Sequence, residues 1–349
     1  MRFPLQAEDR VLVTGATGFL AGHLIPALQE RGYAVRALVL PSEDASRLHE
    51  RGVAVYLGDV RQPETLTEPM RNVDAVVHTA ALMATWAPMR VHHAVHVTGT
   101  ENVCRAALAA GVRRLVHLSS AITYTPTGGT PIEEDFPQEP LHEPHAVTKA
   151  EGDKLVQRMI ARDDLPAAIV RPEAMFGPND RINFRRLADR MRAGKGIIIG
   201  SGRNAVPFVY VDDVVRGLLL ALEHPRALGQ AYNITNDQRM TAEEFLRAIA
   251  EEVGGKEPRV HVPYRALYGA ATVAEWIATL TKREPLVTRH GVQMFGSHNP
   301  LSIDKARREL GYEPAVALRD GIRLAGAWYR ENVLGATAES AAAVSPVTA

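Results

Sequence analysis

The sequence has almost no cysteine and no excess of charge of either sign. Cys104 is the one cysteine among 349 residues, so no internal disulfide can form and a reducing compartment is expected. Its apolar neighbours indicate a buried structural thiol. Lysine plus arginine and aspartate plus glutamate both number 40. This balance gives no electrostatic field that would attract nucleic acid or an anionic membrane, so we expect neither as a partner. The expected reducing compartment predicts a cytoplasmic protein.

Long apolar runs are also missing. The opening "MRFPLQAEDRVLV" has no basic region followed by an apolar run, so it does not resemble a signal peptide. The most apolar later segment, "YRALYGAATVAEWIATL", is interrupted by Arg265 and Glu275 and is shorter than the ~20 residues that a membrane span needs. It is typical of an amphipathic helix that could face an apolar ligand. The small, polar residues 335–349 are expected to be disordered.

Short apolar runs alternate with helical patterns through the first half of the chain, from "RVLVTG" to "AAIVRPE". This alternation predicts right-handed βαβ units and a doubly wound parallel sheet, an α/β fold of the Rossmann type. Beyond Arg171 the alternation breaks down, which predicts a smaller C-terminal substrate lobe. We expect a dinucleotide-binding domain over 1–172 with 208–223 returning to it, a substrate-binding lobe over 173–207 and 224–334, and a tail over 335–349.

A glycine-rich turn, "VTGATGFLAGHL", follows the first predicted strand. Gly15 suits the tight turn, Gly18 leaves room for the backbone to approach a pyrophosphate, and Ala21 lets the helix pack close to the strand. The N-terminus of the next helix would stabilise the anion. The spacing is G-x-x-G-x-x-A, and its place after the first strand favours a dinucleotide site over a plain turn.

The end of the second strand normally selects the cofactor, with an acid for the ribose 2′-hydroxyl or a base for a 2′-phosphate. Here that strand ends Val39-Leu40, which supplies neither group. Arg36 lies nearby and is either a phosphate contact or a solvated strand residue. Asp59, at the end of the third strand, is either an adenine contact or a turn residue. We therefore expect weak discrimination between NAD and NADP.

The ordered set "TGATGFLA", "GDV", "VVHTAA", "VTGTENV", "LSSAITY", "HAVTK", "RPEAMFGP" and "FVYVDDV" resembles the extended short-chain dehydrogenase/reductases, over about residues 9–330. Within them the chain looks most like the bacterial 3β-hydroxysteroid dehydrogenase and sugar epimerase/dehydratase branch. The resemblance implies NAD or NADP as cofactor and a small-molecule substrate. It also implies a homodimer, formed through helices at about 88–110 and 144–161.

The resemblance further implies a Ser/Tyr/Lys catalytic site beside the nicotinamide. Its serine falls on Ser120 and its lysine on Lys149, whereas the tyrosine position is His145. The serine-to-histidine gap, 145 − 120 = 25, agrees with the family spacing. Two further departures are His96, where the family has asparagine, and Glu173, where it has a small or neutral residue.

The remaining assignments complete the expected site. We expect the cofactor to contact Gly15, Thr17, Gly18, Phe19, Leu20, Arg36, Asp59, Val60, Ala80, Lys149 and Pro172. We expect the substrate to contact Met83, Trp86, Ser120, Tyr124 and Phe176.

His145 can replace the tyrosine in proton transfer, because the ordinary pKa of histidine, ~6.5, lies near working pH. Its side chain is shorter, and the nearby Lys149 cation disfavours imidazolium. A neutral imidazole suits alcohol oxidation as a base better than ketone reduction as an acid. Tyr124 and Glu173 are alternative proton donors, and Glu173 is alternatively a salt-bridge partner of Arg171.

Three functions stay open on these residues. The first is an NAD(P)-dependent oxidoreductase that acts on a secondary alcohol or ketone, with an apolar polycyclic or natural-product-like substrate. The second is a non-redox isomerase, cyclase or lyase, and the third is a cofactor-binding protein without turnover. His92, His93 and His96 lie close together, with 92 and 96 on one helix face. Without an HExxH pattern we expect no metal there.

Overall fold

The computed structural model describes residues 5–83, 87–125, 127–141, 143–238, 240–281, 283, 285 and 287–335. Its strands lie on the short apolar runs of the sequence. They are β1 (Arg10–Thr14), β2 (Ala34–Val39), β3 (Ala54–Leu57), β4 (Ala75–His78), β5 (Arg114–Leu118), β6 (Ala167–Pro172), β7 (Ala174–Phe176), β8 (Ile197–Ile199), β9 (Phe208–Tyr210), β10 (Ala231–Ile234) and β11 (Val260–Val262).

The α-helices follow the amphipathic segments between these strands. They are α1 (Phe19–Glu30), α2 (Ser46–Glu50), α3 (Thr67–Met70), α4 (Met89–His93), α5 (Thr100–Ala109), α6 (Pro144–Asp163), α7 (Asn183–Arg192), α8 (Val211–Glu223), α9 (Ala242–Glu252), α10 (Tyr264–Thr281), α11 (Arg289–Gly296), α12 (Asp304–Leu310) and α13 (Leu318–Tyr329). Short 3₁₀ segments cover Pro63–Leu66, Ala121–Thr123 and Pro225–Ala227, and π-helical segments cover Ala94–Gly99 and Arg330–Gly335.

Seven parallel strands form one sheet in the order β10-β6-β5-β4-β1-β2-β3. The order reverses beside β1, because β2 lies on one side of it and β4 on the other. Loops at the carboxyl ends of the strands open a crevice at such a reversal, and ligands bind there. The predicted doubly wound parallel sheet is confirmed.

Helices cover both faces of this sheet. Leu12, Val76 and Leu115 belong to a buried cluster with residues of α5 and α6. Val13, which alternation points to the opposite face, is also fully buried, and α1 and α8 pack against each other. Strands buried on both faces have the continuous apolar sequences found here. Cys104 lies inside the first cluster, where burial raises the pKa of its thiol to about 12, which agrees with a structural thiol.

The chain divides into two compact units. Within the described residues, the larger unit holds 5–173, 211–235 and 299–314, and the smaller holds 174–210, 236–298 and 315–335. These bounds differ from the predicted ones for residues 299–314, which include α12 and were assigned to the substrate-binding lobe, and for two strands.

The predicted lobe range 224–334 contains β10, which pairs in parallel with β6 and so extends the large sheet. In contrast, β9 was assigned to the dinucleotide-binding domain but pairs with β7 in the smaller unit. Both strands are short, and their sequences do not specify which partner strand they join. Of the predicted tail, residues 336–349 lie outside the described residues.

The smaller unit holds its own aromatic core and exposes one apolar helix face. Phe176, Phe208 and Phe245 pack together at its centre. On α10, Ala271 and Ala278 are buried, whereas the larger side chains of Trp276 and Leu280 are 66% and 65% exposed. None of the helices in the described part of the chain combines the length and apolar character needed to cross a bilayer.

A buried ion pair joins α6 to β6 in the larger unit. Arg171 donates from Nε and Nη2 to the two carboxylate oxygens of Asp153, at 2.8 and 2.9 Å. Asp153 is fully buried, and Arg171 is 2% exposed. Arg171 Nη1 also donates to the Glu134 carbonyl at 2.8 Å and to the Tyr124 hydroxyl at 2.6 Å. One guanidinium group therefore connects β6 with α6 and with the loop that contains Tyr124 and Glu134.

Loss of either partner is expected to leave a buried charge without compensation. Arg171→Met or Asp153→Ala should lower the free energy of unfolding by about 3–5 kcal/mol, measured by urea denaturation. The matched control is Arg105→Met, which removes an exposed pair with Glu101 on α5 and should not change stability measurably. Equal, small losses in all three variants would show that the buried pair is not a structural determinant.

Candidate functional site

The glycine loop passes close to the chain that leaves β4. Gly15 has φ +67°, and a Cβ there would lie 2.8 Å from Ala80 Cα and 2.9 Å from Ala80 N. Both the backbone conformation and this contact require glycine. Gly15 also accepts a hydrogen bond from Gly18 N at 3.0 Å, which closes the turn before α1.

The N-terminus of α1 is built for an anion. Gly18 is its N-cap residue, so no side chain caps the helix, and the first turn contains no acid. The first amide groups of a helix need partners, and their dipoles favour negative charge. Ala21 is buried, as close packing of this helix on the sheet requires. The residues present therefore fit a dinucleotide pyrophosphate.

Other predicted cofactor residues have mixed surroundings. Leu20, Val60 and Pro172 are buried, Phe19 and Ala80 are half-buried, and Thr17 is exposed. Asp59 is held by the guanidinium of Arg61, whose Nε lies 2.9 Å from both carboxylate oxygens. Hydrogen bonds from Arg61 lower the pKa of Asp59, so a carboxylate–guanidinium pair occupies the end of β3.

Arg36 is committed elsewhere. Its Nη1 donates to the Arg71 carbonyl at 2.7 Å and to the Pro69 carbonyl at 3.2 Å, and its guanidinium lies 5.4 Å from the centre of the Tyr56 ring. These contacts agree with the alternative that Arg36 is a structural strand residue. The strand sequence shows that a cationic residue lies near the cofactor edge of the sheet, but it does not show which groups the guanidinium contacts.

Sequence reasoning missed Glu43. This exposed residue follows β2, and its carboxylate accepts from Thr17 Oγ1 of the glycine loop at 2.7 Å. The same oxygen, Oε2, accepts from Leu40 N at 3.3 Å. The signal was present, since "PSED" directly follows the strand. The strand pattern ends at Leu40, and it does not show that a carboxylate three residues later folds back onto the strand end.

The side chain of Lys149, on α6, lies at the end of β5, beside the chain that leads to Ser120. It is 7% exposed, and its ammonium donates to the Leu118 carbonyl at 2.7 Å. Burial lowers the pKa of Lys149 to about 8, although the Asp153 carboxylate raises it. Ser120 is half-buried and caps a 3₁₀ segment, with its Oγ accepting from Ile122 N at 3.2 Å. The serine and lysine positions of the family are thus brought together.

His145 lies one helical turn before Lys149, in the first turn of α6, so the two side chains share a face. The backbone N–H and carbonyl of Leu82 each contact a histidine. The carbonyl lies 3.2 Å from His145 Nδ1, and the N–H donates to His96 Nε2 at 2.9 Å. A carbonyl can only accept, so His145 Nδ1 carries the proton and Nε2 is the basic nitrogen in the neutral ring.

The tautomer of His96 is fixed in the same way. Since its Nε2 accepts from Leu82, its Nδ1 donates, and Thr148 Oγ1 lies 2.9 Å away. Thr148 Oγ1 in turn donates to the Pro144 carbonyl at 2.6 Å. Burial lowers the pKa of His96, and the charges of Lys149 and His145 lower it further. His96 is therefore a neutral, two-sided hydrogen-bonding residue.

His92 completes a cluster with His96 and His145. One ring nitrogen from each of the three lies within 4.8 Å of the other two, and His92 is buried. His92 and His96 share a face as predicted, with ring centres 5.4 Å apart, while His93 is exposed. Both nitrogens of His96 are hydrogen-bonded, so a metal ion here would have to displace the Leu82 N–H. We therefore interpret His96 as a hydrogen-bonded support for His145, with the His92 ring packed beside both.

Tyr124 differs from the expectation of a residue at the mouth of the site. It is 5% exposed, its hydroxyl accepts from Arg171 Nη1, and it donates to Asn233 Oδ1 at 3.1 Å. Burial raises the pKa of Tyr124 to about 12. Both hydrogen-bonding positions are used inside the protein, which suits a structural role.

Glu173 is half-buried after β6, and Thr235 Oγ1 donates to its carboxyl group. Burial raises the pKa of Glu173 to about 8, as the sequence predicted for an acid in an apolar pocket. The alternative of a salt bridge with Arg171 is wrong, because that guanidinium binds Asp153. At neutral pH the Glu173 side chain is a neutral acid.

The predicted substrate residues do not all face a ligand. Met83, the residue after Leu82, is 49% exposed. Phe176 is fully buried in the smaller unit against Phe184, Tyr210 and other rings, because β7 lies inside the aromatic core. The prediction that Phe176 contacts substrate is therefore wrong for this arrangement. Trp86 lies outside the described residues.

Comparison with known proteins gives matches over most of the chain. The model of the NAD dependent epimerase/dehydratase family matches residues 11–235. A 2-alkyl-3-oxoalkanoate reductase from Stenotrophomonas maltophilia (strain K279a) is 32% identical, with 90% of this chain and 97% of the relative covered. A 3-beta-hydroxysteroid dehydrogenase from Mycolicibacterium neoaurum is 31% identical, with 87% of each covered.

A solved structure agrees with these matches. The crystal structure of a dTDP-glucose 4,6-dehydratase from Streptomyces venezuelae with NAD bound has a TM-score of 0.75 and 26% identity, covering 93% of this chain and 97% of that one. The family match spans the glycine loop, Lys149 and Glu173. It confirms the resemblance drawn from the motifs and a cofactor that is NAD or NADP. The chain belongs to the NAD-dependent epimerase/dehydratase family of extended short-chain dehydrogenase/reductases.

Proposed function

We propose that the protein is an oxidoreductase that interconverts a secondary alcohol and a ketone, with His145 as the group that exchanges the substrate proton. The bound nicotinamide would accept or supply the hydride. The observation that carries the proposal is the contact of His145 Nδ1 with the Leu82 carbonyl. It fixes the tautomer of the ring and leaves Nε2 as the base.

Proton transfer follows from this tautomer. In the oxidation direction, His145 Nε2 takes the hydroxyl proton while the carbinol carbon loses hydride, and the ring becomes imidazolium. The Lys149 ammonium, one turn away, disfavours that cation, so the proton leaves to water. Ser120 would hold the substrate oxygen by a hydrogen bond. Lys149 keeps its charge below about pH 8 and would hold the nicotinamide ribose.

An apolar substrate is supported by an exposed apolar side chain and by the relatives. Met83 is exposed beside Leu82, whose carbonyl contacts His145. The names of the two curated relatives describe a 2-alkyl-3-oxoalkanoate and a 3-beta-hydroxysteroid. We infer a ketone or secondary alcohol attached to a long alkyl chain or a polycyclic ring system.

The first experiment is a paired substrate screen, followed by the absorbance of reduced nicotinamide. Each apolar alcohol or ketone is compared with a short polar analogue that carries the same reacting group, and with a nucleoside diphosphate sugar. Turnover of the apolar member alone supports the proposal. Turnover of the nucleotide sugar alone would contradict the substrate class.

His145 is tested on the substrate found in that screen. His145→Phe should lower kcat by ~10²–10⁴-fold, because the acid–base group is lost. The control is His93→Phe, an exposed histidine on α4, which should keep wild-type kcat. Wild-type turnover in His145→Phe would show that the imidazole is a bystander.

The support for His145 is tested by restoring the residue types of the family. His96→Asn alone should lose activity, because the Leu82 N–H loses its acceptor, and His145→Tyr alone should lose activity in a pocket shaped for imidazole. The residual activity of the double variant should exceed the product of the two single-variant residual activities, since both residues contact the Leu82 backbone. Strictly multiplicative losses would show that His96 and His145 act independently.

Non-redox chemistry is the second candidate, and Glu173 is the observation that favours it. A carboxyl group that stays protonated up to about pH 8 can donate a proton at neutral pH. An isomerase or lyase on this scaffold could use it together with His145. The two candidates differ in whether free reduced cofactor accumulates.

Glu173→Gln keeps the shape of the neutral acid. The carboxyl pKa is 4.5 when exposed and about 8 when folded, so the folded protein keeps its proton as pH rises between these values. Wild-type stability should therefore fall from about pH 5 to pH 8 relative to Glu173→Gln, by on the order of a few kcal/mol. Urea denaturation at both pH values measures this, with exposed Glu139→Gln as control.

Activity of the same variant separates the two roles. Glu173→Gln with wild-type kcat would exclude Glu173 as the proton donor. A loss in Glu173→Gln without a loss in His145→Phe would assign the proton to Glu173. A pH-independent stability difference would contradict the buried, neutral state of Glu173.

We also propose a homodimer formed through α5 and α6, as in the usual arrangement of the family. The small residues of "CRAALAAG" allow close helix approach, and Ala106, Leu108 and Leu155 are only partly buried in the single chain. Light scattering at micromolar concentration should give twice the chain mass of 38.1 kDa. A monomer mass would contradict the proposal.

A further inference from the structure

The turn after β2 folds a carboxylate back onto the strand end. Glu43 N donates to the Leu40 carbonyl at 3.0 Å, which closes the turn. Glu43 Oε2 then accepts from Leu40 N at 3.3 Å and from Thr17 Oγ1 at 2.7 Å. A single side chain thus links the end of β2 to the glycine loop.

This position lies at the carboxyl edge of β1 and β2. In a doubly wound sheet the dinucleotide crosses that edge, with its pyrophosphate at the start of the first helix and its adenosine ribose beside the end of the second strand. An acid in the strand itself usually accepts from the ribose 2′-hydroxyl, but here the strand ends Val39-Leu40. Glu43 brings a carboxylate to the same edge from four residues beyond Val39.

One oxygen of Glu43 remains available for a ligand. Oε2 accepts from Leu40 and Thr17, whereas within the described part of the chain no hydrogen bond reaches Oε1. The side chain is exposed, so the carboxylate is open to solvent. An ionised carboxylate accepts a hydrogen bond from a hydroxyl but repels a phosphate.

The neighbouring cations do not offset this charge. Arg36 donates to the carbonyls of Pro69 and Arg71, and Arg61 is paired with Asp59. A 2′-phosphate at the end of β2 would meet the Glu43 carboxylate with these two guanidinium groups already engaged. The expectation of weak discrimination came from the strand end alone, whereas the position of the Glu43 carboxylate favours a preference for NAD.

We infer that Glu43 is the residue that selects NAD over NADP, with its carboxylate accepting from the ribose 2′-hydroxyl. The inference rests on the dinucleotide site of the proposed function and not on hydride transfer or on His145. It predicts a cofactor preference that the strand-end residues do not encode.

The test is calorimetric titration of the full-length protein with NAD⁺ and separately with NADP⁺. The wild type should bind NAD⁺ at least about tenfold more tightly than NADP⁺. Glu43→Gln keeps the size of the side chain but removes its charge, and should narrow that ratio by about tenfold. The matched control is Asp44→Asn, because Asp44 is the adjacent exposed acid and its Oδ1 accepts from Ser46 N and Oγ.

Thr17→Val provides a second variant that leaves the Glu43 charge in place. It removes the hydroxyl that holds the carboxylate at the glycine loop and should narrow the ratio by a smaller factor than Glu43→Gln. Thermal unfolding of each variant without ligand confirms that the ratios compare folded proteins. Asp44→Asn should keep the wild-type ratio.

Three results would overturn the inference. They are a wild type that binds NADP⁺ as tightly as NAD⁺, an unchanged ratio in Glu43→Gln, and an equal change in Asp44→Asn. Because binding is measured without turnover, the outcome is separate from that of the proposed function. An unchanged ratio alongside a kcat loss in His145→Phe rejects only the inference, and the reverse pattern rejects only the proposed proton transfer.

Discussion

The buried pair of Asp153 and Arg171 is the interaction on which the catalytic region depends. Burial alone would raise the pKa of Asp153, but hydrogen bonds and the charge of Arg171 lower it to about 2, so the carboxylate stays ionised. That charge lies one helical turn after Lys149 and opposes the loss of hydration that lowers the lysine pKa. A buried pair contributes little net stability compared with apolar residues. Its value here is that it keeps Lys149 an ammonium at neutral pH.

The backbone of Leu82 links the two departures from the family pattern at positions 96 and 145. Its N–H and carbonyl contact His96 and His145 on opposite sides. The hydrogen bond to this N–H is part-buried, so an acceptor at position 96 offsets part of the cost of removing the N–H from water. Histidine also donates from its second nitrogen to Thr148, on the turn that carries His145. The residue at position 96 therefore contacts both the backbone that binds His145 and the helical turn that carries it.

The sequence predicted the sheet, the glycine loop and the shared helix face of His145 and Lys149, because these depend on apolar periodicity, glycine and helical spacing. It could not show where long side chains end. Arg36 turns to carbonyls near α3, Tyr124 turns into the Arg171 network, and Phe176 enters an aromatic core. Glu43 was missed for the same reason, since a flexible turn carries its carboxylate back to the strand. Assignment of β9 and β10 failed because three- and four-residue strands do not encode their partners.

Two groups in the larger unit, buried Lys149 and half-buried Glu173, each lose a proton near the same pH. Below about pH 8 Lys149 is a cation and Glu173 is neutral, which adds one positive charge; above it Lys149 is neutral and Glu173 is an anion, which adds one negative charge. Both shifts come mainly from burial, so binding of a ligand that excludes more water would widen the range in which both groups are neutral. The extent to which a bound ligand desolvates Lys149 and Glu173 therefore sets the charge of each group near neutral pH.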